Sequence, residues 1–79
     1  MSLVKWKDGE NGSYAKIGSL YFVIEGSLRR PNDYAWGIEG MISNESSWNG
    51  HYKTMRIAQV AAERWAREEC RRMLKTLEA

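Results

Sequence analysis

The sequence predicts an α+β domain: a four-stranded antiparallel β-meander packed by one long C-terminal helix. Three observations carry this expectation. Residues 20–25, LYFVIE, are a β-branched and aromatic run suited to a central strand. Residues 34–42 alternate, with Tyr34, Trp36, Ile38 and Ile42 on one face and Ala35, Glu39 and Met41 on the other. Residues 55–77 contain no Gly or Pro and repeat apolar side chains at helical spacing.

Taken in order, the first strand is expected at 3–7, followed by DGENG, which holds both an Asp-Gly and an Asn-Gly turn signal. The returning strand spans 13–17. Gly18-Ser19 then turns the chain into the strand at 20–25; the alternative is one long strand bent at Gly18, and the glycine favours the hairpin. The segment GSLRRPND is a loop that contains the only proline. In the strand at 34–42, Gly37 and Gly40 suggest a bulge or something packed close above, on an open floor that would accept the helix. Residues 44–53 read as a polar loop, and the helix is expected over 54–77 with Thr54 as its N-cap. Met55, Ala58, Ala62, Ala66, Cys70, Met73 and Leu77 form its stripe, broadened by Ile57, Ala61, Trp65 and Leu74. The alanines allow a close approach to the sheet. Glu63–Arg67 and Glu68–Arg72 stand four apart in the favourable order.

With 79 residues the chain makes one domain near the lower limit for folding without a metal or disulfides. Four Trp, four Tyr and one Phe supply large apolar area at little cost in rotamer freedom. Small size leaves both a monomer and a homodimer open. One Cys and one His exclude an internal disulfide framework and a single-chain zinc site. No apolar run reaches the length of a signal core or a membrane span, so the cytosol is the expected compartment. The net charge of +2 is concentrated at the C-terminal end. Residues 1–53 hold six basic and six acidic side chains, whereas residues 54–79 hold six against four.

No chemistry-bearing motif stands out. Cys70 falls on the apolar stripe, where a thiol serves packing and is inert, and it lies far along the helix from His51. The helix glutamates share their element with arginines, which suits ion pairing better than proton transfer. No phosphate loop or dinucleotide fingerprint is present, so a non-enzyme without cofactors is expected. Three groups remain as binding candidates. Trp48, His51 and Tyr52 sit in NESSWNGHYKTM, an otherwise small and polar stretch. Tyr52, two residues before the N-cap, suits a ring folded over the first helical turn. Trp48 is open between packing and interface. Arg29 and Arg30 give the other long loop a site for acidic groups. Arg67, Arg71 and Lys75, four residues apart, make a helical ridge able to contact phosphates or an acidic partner.

An N-terminal Trp6, the strands AKIGSLYFVIE and YAWGIEG, a Gly-containing loop and the T-x-x-x-A-x-x-A-A-E pattern from Thr54 to Glu63 together resemble small single-domain proteins of bacteriophages and prophages, the anti-CRISPR type. That resemblance implies a non-enzymatic inhibitor in the host bacterial cytosol, acting by occlusion of a bacterial protein or ribonucleoprotein complex. The stretches YFVIE, YAWGIEG and KTMRIAQVAAE also resemble HicB-type antitoxins, in which a helix follows three strands. Direct, weak nucleic-acid binding through the basic helix is the alternative from another class, and a structural oligomer component is a third.

Overall fold

The fold was obtained as a computed structural model, which describes residues 4–9, 11–40 and 48–78. Among these, five strands form one antiparallel sheet in chain order: β1 Lys7–Asp8, β2 Gly12–Ile17, β3 Leu20–Gly26, β4 Tyr34–Ile38 and β5 Asn49–Tyr52. One helix, α1, Met55–Glu78, crosses the sheet. The α+β class and the C-terminal helix agree with expectation; the sheet has five strands, not four.

The added strand is β5, in the segment expected to be loop. Its Asn-Gly-His-Tyr composition has no apolar alternation to announce it, and it forms because the edge of β4 offers backbone partners. Tyr52 pairs with Tyr34, Gly50 with Ala35 and Asn49 with Trp36, with a bulge between Tyr34 and Ala35. His51 is accommodated with φ of 58°, in the left-handed region. The expected first strand at 3–7 contracts to Lys7–Asp8, and the expected fourth ends at Ile38. Residues 3, 41 and 42 of those two expectations lie outside the described residues.

The β2–β3 hairpin forms as expected rather than a single bent strand. Ile17 pairs with Leu20 across Gly18-Ser19, and Gly18 takes φ of 65°. The β1–β2 turn is closed by Gly9 N–H donating to the Gly12 carbonyl at 2.8 Å. At Gly12 the β3 backbone comes so close that a Cβ would strike the Ile24 carbonyl.

Side chains alternate between faces. Ser13, Ala15, Phe22, Ile24, Trp36 and Ile38 are buried on one face, and Ala58 and Ala62 of α1 are fully buried against it. Trp65 closes this core: its ring lies 5.9 Å from Phe22 and 5.6 Å from Trp36, and Phe22 and Trp36 are 5.8 Å apart. Tilted and edge-on pairs at such distances add about 0.5–1.5 kcal/mol each beyond area burial. The Trp36 Nε1 donor is buried and has no partner among the described residues. The expected glycine floor is not where the helix rests. Gly37 pairs with Val23 and so belongs to the face opposite Trp36 and Ile38, while Gly40 marks a left-handed turn with φ of 91°.

Thr54 caps α1 as expected, its Oγ1 accepting from Ile57 N–H at 3.1 Å. Polar ties fix the helix to the β1–β2 side of the sheet. Gln59 Nε2 donates to Ser13 Oγ at 2.9 Å in a buried contact, and Trp6 Nε1 donates to Glu63 Oε2 at 3.1 Å. Glu63 also faces Arg56 at 3.9 Å, and Arg72 pairs with Glu69 at 2.8 Å rather than with Glu68. Because Ala62 has no room around it, Ala62→Leu should lower stability by about 1–3 kcal/mol through overpacking. Val60→Leu, on the exposed side of the same turn, should change it by less than about 0.5 kcal/mol. Denaturant melts of the two variants check the contrast; equal effects would mean the helix does not rest on its alanines.

Candidate functional site

Three surfaces bring together side chains that the core does not use. The first is a cavity of about 370 Å³ lined by Glu25, Gly26, Ser27, Asp33, Ala35, Trp48 and His51. Its wall is an ordered turn. Ser27 Oγ accepts from the backbone N–H of both Arg29 and Arg30 at 3.1 Å, and Ser27 N–H donates to the Asp33 carbonyl at 2.8 Å. Asn32 completes the turn with φ of 54°, a conformation that Asn tolerates. This places the Asp33 carboxylate beside His51, with Nδ1 3.1 Å from Oδ1. The His51 side chain is 82% exposed, so water screens the pair and it orients the ring more than it stabilises the fold.

The structure therefore brings Trp48 and His51 to one cavity, with Trp48 half-buried. Tyr52, grouped with them as a binding candidate, is separated from them: it is half-buried and packs against the core on the α1 side. Arg29 and Arg30 are exposed in the turn and do not line the cavity. The His51–Asp33 pair resembles an oriented base, yet Ser27, the hydroxyl beside it, is already an acceptor for two backbone donors. What the cavity offers is an aromatic wall, a ring nitrogen and carboxylates for hydrogen bonding. Among the described residues no group of three or more His, Cys, Asp and Glu could hold a metal ion.

The second surface is the end of α1. Every residue from Cys70 to Leu77 is exposed, including Met73 at 61% and Leu77 at 82%. Cys70 was expected to be a packing residue and is not, because the apolar stripe continues after the sheet has ended. Ile57 is likewise exposed, on the solvent side of the first turns rather than in the stripe. Arg67, Arg71 and Lys75 are exposed along one flank of the uncovered stripe, as the spacing predicts. Among the described residues no helix is long and apolar enough to cross a membrane.

The third surface was not singled out from the sequence. On the face turned away from α1, Lys5, Lys7, Tyr14, Lys16 and Tyr21 surround a trough of about 580 Å³. Trp6 turns inward to Glu63, which puts its neighbours Lys5 and Lys7 on the outer face. Lys7 pairs with Tyr14, and Lys16 with Tyr21, whose ring centroid lies 5.6 Å from Lys16 Nζ. The signal was present as the polar phase of the β2 and β3 alternation, with an aromatic ring in each strand where a purely solvated face needs none.

Comparison of the chain with models of protein families, with curated proteins and with solved structures found no match.

The φ of His51 generates a test of how the first cavity is held. His51→Gly should be more stable than His51→Ala by about 1 kcal/mol, although both lose the Asp33 contact, because only glycine relaxes at positive φ. Thermal melts decide it, and alanine proving the better residue would show that the left-handed backbone is not retained.

Proposed function

We propose that the protein is a non-enzymatic interaction protein whose docking element is the projecting end of α1. The observation that carries this is the continuation of the apolar stripe, Cys70, Met73, Leu74 and Leu77, onto a helical segment where each is exposed. Apolar side chains at this spacing suit an amphipathic helix laid in a groove, with anchors on successive turns. Charge selects the kind of groove. From Arg64 to Lys75 there are five cationic and two anionic side chains, so two copies laid side by side would repel. A groove with an apolar floor and a carboxylate rim on another protein is complementary to both features.

The partner in this reading is a bacterial protein or ribonucleoprotein complex, and the remainder of the domain hinders access to the surface it covers. The likeness to phage-encoded inhibitors of the anti-CRISPR type supports this setting. Trp48 and His51, beside their cavity, supply a second point of contact.

The experiment is capture from a bacterial lysate with the intact chain. Wild type should retain a specific partner, and Leu74→Glu/Leu77→Glu should lose it, with affinity reduced by at least about tenfold for each leucine that becomes buried. Retention of the same partner by the double variant, or no specific partner for either, counts against the proposal. Sedimentation adds one more outcome: a dimer dissolved by Leu77→Glu would make the occupant a second copy and overturn the acidic groove.

A further inference from the structure

The trough on the outer face of the sheet is built differently from the helix end, and it calls for a different ligand. Tyr14 and Tyr21 are 44% and 47% exposed on a surface that no strand alternation forces to carry rings. Tyr14 pairs with Val23 and Lys16 with Tyr21, so the two tyrosines are diagonal neighbours across β2 and β3. Such positions are about 7–8 Å apart, within reach of large side chains of one another. Around them stand Lys5, Lys7 and Lys16, and no carboxylate lines the trough.

Acids are present on the same face, but further across it. Glu39 follows β4, its N–H donating to the Tyr21 carbonyl at 2.8 Å, and Glu25 pairs with Gly12 toward the other end of the hairpin. The outer face is therefore polarised, with ammonium groups along the β1–β2 margin and carboxylates beyond the rings. A polyanion is drawn to the first and repelled from the second.

We propose that this face binds single-stranded nucleic acid. Adjacent unpaired bases stack on Tyr14 and Tyr21, while Lys5, Lys7 and Lys16 contact the phosphates that run along the β1–β2 margin. Sheet surfaces carrying exposed aromatic side chains stack bases in this way, and the stacking tolerates any base because every base has a π-face. An acidic peptide would satisfy the lysines and leave the tyrosine faces unused. A duplex would satisfy the lysines and keep its base faces to itself. The combination of two rings and three cations favours the unpaired strand, without sequence preference.

The test is fluorescence anisotropy with a labelled 12-nucleotide oligothymidylate, the same length of duplex as comparison, and polyglutamate as competitor. Single strand should bind at 50 mM salt and weaken roughly 20-fold at 200 mM, the dependence for three phosphate contacts on a single strand. Tyr14→Ala/Tyr21→Ala should weaken binding at least about tenfold, as should Lys7→Glu/Lys16→Glu. Tyr14→Phe/Tyr21→Phe, which keeps both π-faces, should bind like wild type, and so should Leu74→Glu/Leu77→Glu, whose changes lie on the helix end. These positions are exposed, and thermal melts establish that each variant is folded. The proposal is overturned by any of four results: no binding at 50 mM salt, equal affinity for duplex, equal affinity for polyglutamate, or binding that survives loss of both tyrosines but not Arg67→Glu/Arg71→Glu.

Discussion

The separation between α1 and the sheet is set by Ala58 and Ala62, both fully buried. Their methyl groups let the helix axis come low enough for Trp65 to reach Phe22 and Trp36 from the side, and this ring trio is the bulk of the core. A longer side chain at either alanine would lift the helix off the rings. In a chain of 79 residues little else could replace that contact. The polar ties Gln59–Ser13 and Trp6–Glu63 then fix the rotation of the helix and bring the first described segment under it.

One helix over one sheet leaves two surfaces that packing cannot use. A helix of 24 residues is about 36 Å long, more than strands of two to seven residues can support, so among the described residues its last turns have no floor. Among the described residues, the opposite side of the sheet has no second layer to meet. Both surfaces carry side chains that a merely solvated exterior would not select: leucines and a methionine on the first, tyrosines between lysines on the second. They are chemically distinct, one apolar with a cationic flank and the other aromatic and cationic, so they suit different classes of molecule.

How far the sequence revealed this depended on whether a residue's role was local. The Thr54 cap, the length of α1 and the strand at Leu20–Gly26 follow from spacing and propensity, and they form as expected. Tyr52, read both as a ring over the first helical turn and as a binding candidate, packs against the core and stays apart from Trp48 and His51. β5 was not legible, since a short strand of Asn, Gly and His is specified by the edge it joins and not by its own side chains. Cys70 illustrates the opposite error. Periodicity shows which face a residue occupies but not whether anything lies against it. The helix-facing role expected of Gly37 failed for a related reason, because alternation sent its larger neighbours, Trp36 and Ile38, to that side. Of the candidate binding residues, Trp48 and His51 converge through a turn whose hydrogen bonds involve Ser27 and Asp33, residues with no distinguishing sequence signal.

The two margins of the sheet bear on recognition as well as solubility. β1 is only two residues long, and β5 is interrupted by a bulge opposite the start of β4, where His51 takes a left-handed backbone. An incoming strand would need a straight row of free amides and carbonyls, and among the described residues neither border offers one. Lengthening of the sheet by a foreign segment, or by stacking of one molecule's margin on another's, is thus disfavoured by backbone shape alone. Any contact with another molecule then falls to side chains, on surfaces that substitution can alter without touching the ladder that holds the fold.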